Sequence, residues 1–509
     1  MSAKIWSAAC VGISAELVEV EADTGGGQLG SFTIVGLPDA AVQEAKERVR
    51  SAIRNTGLDF PKVKVTVNLA PADIKKQGPG YDLPIALSIL VATSRQPFGE
   101  VFFDKSIFLG ELALDGSLRP ISGVLPIITT AKIWGKSIIF LPKDNSVEAS
   151  LVKGVTIYAV ENLKQILQLL TGKIELEPVR PINRVSSKTS NLSNFADIQG
   201  QEQAKRALEI AAAGGHNLLM SGSPGAGKTL LARALVSILP ELLDEEVLEI
   251  SKIYSVAGML TRNAPFLEHR PFRSPHHTAS AVSMVGGGSW PRPGEISLAH
   301  RGVLFLDEFP EFARQTIENL RQPLEDGVIH VSRIAGNITY PARVMLVAAM
   351  NPCPCGYFGD PKALCTCSSS QISSYHKKIS GPIMDRIDLH VIVPRISFGE
   401  LQQTTPAENS QLIRSRVELA RKRQVERMLE EKMYCNAEMS SKQIKKFCQI
   451  DASGEKLLQQ AVEKLNLSAR GYYRVLKVAR TIADLAEEIN ILSPHIAEAL
   501  QYRSKAQVF

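Results

Sequence analysis

A single octapeptide restricts the fold of this chain more than any other part of its 509 residues. Residues 222–229 read Gly-Ser-Pro-Gly-Ala-Gly-Lys-Thr, a complete G-x-x-x-x-G-K-[ST] phosphate-binding loop. An apolar run precedes it at residues 216–221, and helical periodicity follows at residues 230–239. A strand, a glycine-rich turn and a helix in this order direct backbone N–H groups and a helix dipole at one point. The sequence therefore predicts an α/β domain that binds a nucleotide; a glycine-rich turn without a ligand is the alternative.

The predicted nucleotide contacts are all eight residues of this loop: Gly222, Ser223, Pro224, Gly225, Ala226, Gly227, Lys228 and Thr229. Lys228 is expected to reach the β- and γ-phosphates, and the Thr229 hydroxyl is expected to bind Mg²⁺. The predicted cofactors are therefore ATP and Mg²⁺.

A second motif supplies the groups that hydrolysis needs. Residues 303–306 form an apolar run suited to a buried parallel strand, and Asp307 and Glu308 follow at its carboxyl end. We expect Asp307 to hold Mg²⁺ through water, and Glu308 to activate the attacking water as general base. An apolar strand that ends in two solvated acids is the alternative.

Two further residues are candidates for catalysis. Asn351 follows a third apolar run, where an amide can touch the γ-phosphate or the attacking water; a turn residue is the alternative. Arg386 is a candidate arginine finger that reaches the γ-phosphate held by a neighbouring subunit. A salt bridge with Asp385 or Asp388 is the alternative for this arginine.

The last part of the chain offers two more arginines. Ser468 is a candidate N-cap for an amphipathic helix that runs through Leu485. Arg470 and Arg474 lie one turn apart on this helix and share a face, so either can lean over the phosphates from a lid. Ordinary surface arginines are the alternative.

The chain length predicts three domains of ordinary size. Residues 1–176 mix strand-like and helical runs, residues 177–194 have the composition of a linker, residues 195–394 hold the α/β pattern, and residues 395–509 are almost wholly helical. The net charge of +6 is compatible with a nucleic-acid partner but discriminates little. Because no apolar run approaches about 20 residues and no signal-peptide pattern is present, we expect a cytoplasmic protein without a membrane partner.

Four cysteines form a compact C-x-C…C-x-C pattern: Cys353, Cys355, Cys365 and Cys367. Four thiolates in so short a loop can close a tetrahedral Zn²⁺ site, although C-x-C is tighter than the usual spacing. Free thiols or a redox-sensitive disulfide are the alternatives. The other cysteines, Cys10, Cys435 and Cys448, are isolated and are expected to be packed side chains.

Taken together, these motifs resemble those of AAA+ ATPases, with Asn351 as sensor 1, Arg386 as finger and Arg470 as sensor 2. The segments at residues 270–278 and 293–300 look like the magnesium-chelatase-like branch. Within it, the chain is similar from end to end to the bacterial ComM/YifB family. This resemblance implies a homo-hexameric, ATP-dependent motor that drives branch migration on single-stranded and branched DNA during natural transformation.

The same resemblance implies two insertions that face the pore of the ring. One covers roughly residues 255–300, and the other is a hairpin over residues 328–340 with Ala335-Gly336-Asn337 at its tip. His330 and Arg333 near the tip are candidate DNA-binding residues that contact phosphates. A surface hairpin with incidental charges is the alternative.

Residues 76–82, 110–112 and 120–123 of the first segment resemble the proteolytic domain of Lon, which implies a Lon-protease-like (S5-like) α+β fold. Peptide hydrolysis there needs a serine nucleophile and a lysine base, but this chain has Gly80 and Leu125 at the matching positions. We therefore expect a platform without peptidase activity. Its basic face, or simply a solvated lysine face, would consist of Lys62, Lys64, Lys75 and Lys76.

Two other functions remain open from the sequence. One is a chelatase-type motor, although such motor subunits generally lack a Lon-like segment, and the other is a MoxR-like remodelling protein. His276 and His277 are expected to make hydrogen bonds or nucleic-acid contacts rather than to bind a metal. Trp290 is a candidate for stacking on a base or for packing in a pore loop.

Overall fold

The computed structural model describes residues 2–25, 30–94, 100–181, 193–288, 291–333, 336–396, 408–431, 433–465 and 467–503. Trp290, Ala335 and most of the predicted linker lie outside the described residues.

The N-terminal part begins with a four-stranded sheet in the order Ser2–Val11, Ser14–Gly25, Lys64–Ala70, Phe32–Val35. The first three strands pair antiparallel, whereas the last pair is parallel. Burial alternates along Lys64–Ala70, as expected for a sheet with one buried face. The helices that pack on this sheet are Ala40–Asn55 and Asp82–Thr93.

A second N-terminal sheet is wholly parallel, in the order Ser106–Phe108, Ile138–Pro142, Thr156–Val160. The rings of Phe108 and Phe140 stack across two of these strands at a centroid distance of 4.8 Å. The remaining elements are the helices Glu100–Lys105, Val124–Ala131, Ser146–Ala149 and Leu163–Leu170 and the short strands Glu111–Leu112 and Leu118–Arg119.

The expected lysine face needs one correction. Lys62, Lys64 and Lys75 are exposed, but Lys76 is fully buried and its ammonium donates to the carbonyl of Pro71. The fold therefore buries a lysine that the sequence placed on a solvated face. Leu125 is buried in the helix Val124–Ala131.

The central part is built on five parallel strands in the order Phe272–Arg273, Val303–Leu306, Met345–Met350, Leu218–Ser221, Leu389–Ile392. Val303–Leu306 and Met345–Met350 are buried at every position, because helices cover both faces of a parallel sheet. The sheet confirms the predicted parallel α/β core. Its helices are Glu202–Gly214, Lys228–Ile238, Asp244–Ala257, Ala281–Val285, Glu295–Leu298, Arg314–Glu318, Arg321–Asp326, Ser369–His376 and Gly381–Met384.

Two expectations about the insertions are wrong in detail. The supposed insertion at residues 255–300 contains Phe272–Arg273, which is an edge strand of the central sheet. The hairpin pairs Val328–Arg333 with Gly336–Pro341, so that Gly336 and Asn337 lie in the second strand and not at the tip. A second, shorter hairpin joins Gly286–Gly287 to Arg292–Pro293.

The C-terminal part is helical, as predicted: Ser410–Arg427, Ser441–Phe447, Ala452–Leu465, Ala469–Leu485 and Ser493–Gln501. Ser468 caps its helix by accepting a hydrogen bond from the Gly471 N–H. The helix Ala469–Leu485 shares one apolar cluster with Glu202–Gly214, so the lid packs directly on the central part. Short 3₁₀ helices are Pro79–Tyr81, Lys143–Asn145, Phe195–Asp197, Phe309–Glu311, Leu429–Glu431 and Asn436–Glu438.

Within the described ranges, no helix combines the length and apolar character that crossing a bilayer requires.

Candidate active site

The phosphate-binding loop leaves the carboxyl end of Leu218–Ser221, a strand in the interior of the sheet. Gly225 and Gly227 have φ angles of 78° and 88°, a left-handed conformation that side chains other than glycine rarely adopt. The loop runs straight into the helix Lys228–Ile238, whose first N–H groups and dipole therefore face the loop. This local geometry is that of an anion-binding site.

Lys228 lies at the centre of this loop. Its ammonium donates to the carbonyl oxygens of Gly222 and Ser223 at 2.6 and 3.1 Å, and to the side-chain oxygen of Asn351 at 3.2 Å. Burial lowers the pKa of Lys228, and the charge of Asp307 partly opposes that shift. The structure therefore brings the predicted lysine and Asn351 together at one edge of the sheet.

Thr229 and Asp307 meet at the same edge. The Thr229 hydroxyl donates to Oδ2 of Asp307 at 2.8 Å, and the backbone N–H of Glu308 donates to Oδ1 at 2.9 Å. Hydroxyl and carboxylate oxygens are ligands that suit Mg²⁺. Their proximity fits the predicted metal-binding role of both residues.

Glu308 has a histidine partner that the sequence did not identify. Nδ1 of His277 lies 3.1 Å from Oε2 of Glu308. Glu308 itself has a φ angle of 52°, which is strained for a residue with a side chain. His276 packs its ring on that of His277 at a centroid distance of 4.1 Å. The histidine pair, which the sequence predicts to make hydrogen bonds, thus has a partner in Glu308, the candidate general base.

The three candidate arginines lie at the edge of the sheet that the amino ends of its strands form, opposite the phosphate-binding loop. Arg386 precedes Leu389–Ile392, is largely buried, and forms an ion pair with Glu325. Arg470 contacts the other oxygen of Glu325 at 3.2 Å. Arg474 pairs with Asp388 and donates to the carbonyl oxygen of Arg386 at 2.9 Å. Arg470 and Arg474 therefore accompany Arg386 and do not lie over the phosphate loop of their own chain.

These arginines line a cleft of about 630 Å³ between the central part and the lid. The ion pair of Arg386 is with Glu325 rather than with Asp385 or Asp388. Burial alone would raise the pKa of Asp388, but the charge of Arg474 and a hydrogen bond with His216 lower it well below its usual range. The cleft therefore keeps Asp388 ionised beside a group of cations.

The four cysteines converge as predicted. The Sγ atom of Cys353 lies 3.3 Å from that of Cys355 and 3.7 Å from that of Cys365, and all four sulfurs lie within 4.8 Å of one another. Sulfurs bound tetrahedrally to Zn²⁺ at about 2.3 Å are roughly 3.8 Å apart. The cluster can therefore hold a metal ion.

The DNA-binding candidates lie on the longer hairpin. His330 is exposed and its Nδ1 lies 2.9 Å from the hydroxyl of Thr339 on the facing strand. Arg333 is the last described residue of its strand. The hairpin begins directly after the helix Arg321–Asp326, which carries Glu325.

Comparisons with known proteins agree with this architecture. The family "Magnesium chelatase, subunit ChlI" matches residues 194–401, its C-terminal family matches residues 407–503, and "Subunit ChlI of Mg-chelatase" matches residues 18–145. The match at residues 18–145 places the first segment with chelatase-related proteins, whereas the predicted likeness to Lon stays a prediction.

Two full-length relatives narrow the assignment. The chain is 44% identical to the uncharacterized protein YifB of Escherichia coli over 97% of this chain and 96% of that protein. It is also 44% identical to the competence protein ComM of Haemophilus influenzae, over 99% and 98% of the two chains. The magnesium-chelatase 38 kDa subunit of Rhodobacter capsulatus is more distant, at 29% identity over 33% of this chain and 52% of that protein. The chain therefore belongs to the ComM/YifB family of magnesium-chelatase-like AAA+ ATPases.

Proposed function

We propose that this protein is an ATP-hydrolysing motor that assembles as a homo-hexamer and drives branch migration of DNA in the cytoplasm. The observation that carries the proposal is that one sheet holds two separate half-sites. The phosphate-binding loop lies at one end of its strands, and the arginine cluster lies at the other. Lys228 bonds to Gly222 at the carboxyl end of the strand Leu218–Ser221, whereas Asn217, before this strand, donates to the carbonyl oxygen of Arg386. The five residue steps from Asn217 to Gly222 separate the two ends by roughly 16 Å.

This separation favours a site that two copies of the chain complete together. A phosphate held at Lys228 is out of reach of Arg386 in the same protomer, but a neighbour in a ring can present its arginine edge to it. The clustering of Arg386, Arg470 and Arg474 means that one protomer would offer all three cations at the seam. The arginine finger and the sensor-2 candidates would then act on the neighbour's nucleotide.

The chemistry follows from the residues at the phosphate-binding edge. Lys228 and the loop N–H groups bind and orient the phosphates, while Asn351 positions the lysine or the attacking water. Thr229 and Asp307 would hold Mg²⁺, which would supply charge neutralisation on the phosphates. Once the Glu308 carboxylate has separated from His277, it accepts the proton of the attacking water. The finger arginine stabilises charge that develops on the transferred phosphoryl group.

DNA is the proposed substrate of the movement. The relative in Haemophilus influenzae carries the name competence protein, and the net charge of +6 is compatible with a polyanion. We assign the contact with single-stranded and branched DNA to the hairpin that carries His330 and Arg333. Because such contacts are to phosphates, binding would be sequence-independent and would weaken with salt.

Two supporting roles complete the proposal. The four cysteines would hold a structural Zn²⁺ ion. The N-terminal part would serve as a Lon-like platform without peptidase activity, because Gly80 and Leu125 offer neither a nucleophile nor a base.

The test is ATP-dependent conversion of a labelled four-way DNA junction by purified protein. Glu308→Gln should bind ATP yet leave the junction unresolved, with a loss of turnover of about 10²–10⁴-fold. Glu311→Gln is the matched control, because Glu311 is a nearby carboxylate that pairs with Lys378 and does not contact the loop. An ATPase that no forked or four-way DNA stimulates would instead favour a chelatase-type or MoxR-like role on a protein complex.

A further inference from the structure

The loop that carries the cysteines lies directly against the phosphate-binding loop of the same chain. Oδ2 of Asp360 accepts a hydrogen bond from the Ser223 hydroxyl at 2.6 Å. Gly356 lies so close to Pro224 that a Cβ atom at this position would be 2.6 Å from the Pro224 Cδ atom. Both contacts connect the nucleotide loop to residues that lie between Cys355 and Cys365 in the sequence.

Asp360 is held in place by its own loop. Its side chain is only 1% exposed, and its Oδ1 atom accepts the backbone N–H groups of Lys362 and Ala363 at 2.8 and 3.2 Å. The Ser223 hydroxyl is the main cause that lowers the pKa of Asp360, so the carboxylate is ionised at neutral pH. The backbone of the cysteine loop thus fixes a charged acceptor under Ser223.

The cysteine loop has no regular secondary structure that would hold this shape. From Pro352 to Ser368 the described backbone forms neither helix nor strand. The four sulfurs gather at the base of the loop, with the Cys355 N–H donating to Sγ of Cys367 at 3.4 Å. A metal ion bound there would close the loop, since four bonds from one ion replace the missing secondary structure.

We propose that one thiolate-bound metal ion of the zinc class fixes the phosphate-binding loop through Asp360 and Gly356, and so sets the affinity for nucleotide. The cluster is not placed to act on Arg386, because Arg386 lies at the other edge of the sheet. The inference rests on the proposed function only for the binding of a nucleotide at Lys228; it requires neither DNA nor a ring.

The experiment measures metal content and nucleotide affinity on the same full-length protein. Elemental analysis should find one zinc per chain, and a fluorescent ATP analogue should bind. Removal of the metal with a chelator should weaken this binding about tenfold, the effect of losing one hydrogen bond to a charged group, and added Zn²⁺ should restore it. The double variant Cys355→Ser/Cys365→Ser should match the metal-free protein, whereas Cys448→Ser should match the wild type.

A second variant separates the metal from its effect on the loop, and it serves even where cysteine variants fold poorly. Asp360→Ala should keep its zinc but lose affinity for the analogue to a similar extent, while Lys362→Ala, an exposed neighbour, should keep both. Well under one metal per chain, or unchanged affinity in metal-free protein or in Asp360→Ala, would overturn the inference. Failure of the zinc-loaded wild type to bind nucleotide would instead contradict the proposed function.

Discussion

Glu325 forms an ion pair with Arg386 at the edge of the central sheet that lies away from the phosphate-binding loop. Its second oxygen contacts Arg470 at 3.2 Å, and the Glu325 side chain remains 48% exposed. One carboxylate therefore engages two of the three arginines that we propose to act on a neighbour's nucleotide. Glu325 also lies three residues before Val328, where the proposed DNA hairpin begins.

Glu325→Gln should raise the basal ATPase rate about two- to fivefold, because an ion pair whose carboxylate is half-exposed holds the arginines with roughly 0.2–1 kcal/mol. It should also weaken the stimulation by DNA, since the hairpin would no longer be tied to the arginine pair by charge. Steady-state turnover with and without a forked DNA is the measurement. Asp326→Asn, an exposed acid on the same turn, should leave both rates unchanged; equal effects of the two substitutions would contradict a specific role of Glu325.

The contact between the first segment and the central part should depend on pH. Glu148 is buried, and its carboxylate accepts hydrogen bonds from Asn145 and from Ser255 on the helix Asp244–Ala257. Burial raises the pKa of Glu148 to about 7, and these two hydrogen bonds only partly oppose the shift.

Because the pKa in the folded state is above that of the unfolded chain, the associated stability is complete below about pH 4.5 and is lost as pH rises through about 7. Glu148→Gln should remove this dependence. The difference between the melting temperatures of Glu148→Gln and of the wild type should grow in favour of the variant as pH rises between these two values. The growth should correspond to at most about 3 kcal/mol in the free energy of unfolding. Parallel pH dependence of the two melting curves would contradict the prediction.

The stability of the helical lid should depend strongly on one buried carboxylate. Asp484 is fully buried and accepts hydrogen bonds from Arg480 at 3.1 Å and Asn436 at 2.8 Å, and it also pairs with Arg427. Asp484→Ala leaves the buried Arg480 without its carboxylate, so we expect a loss of about 3–5 kcal/mol in the free energy of unfolding. Urea denaturation measures this loss. Asp451→Ala, which removes an acid whose partners, Ser453 and Gly454, are close to it in the sequence, should cost much less.

The sequence was sufficient to locate those elements whose functional groups lie within one short segment. The phosphate loop, the strand before Asp307 and the strand before Asn351 could each be predicted, because a short apolar run followed by a glycine-rich or acidic segment has few other structures. Parallel strands then place these ends at one edge, so the meeting of Lys228, Thr229 and Asp307 followed from the fold class.

Pairings between distant parts of the chain could not be predicted in the same way. Ser223 and Asp360 are 137 residues apart, and Glu325 is 145 residues from Arg470, so no spacing signals either contact. The partner of His277 likewise depends on how an edge strand lies beside the strand that precedes Asp307. The side on which Arg470 and Arg474 lie is set by lid packing, which local periodicity does not encode.

The central claim is that the two half-sites belong to different protomers, and mixing two inactive variants tests it most directly. Lys228→Ala removes one half-site and Arg386→Ala the other, and each alone should lose at least about 10³-fold in ATPase rate. In a random equal mixture, half of the protomers keep the lysine and half of their neighbours keep the arginine, so about one seam in four is complete. We predict recovery of about a quarter of the wild-type rate in the mixture. No recovery, with the variants shown to co-assemble, would contradict the account.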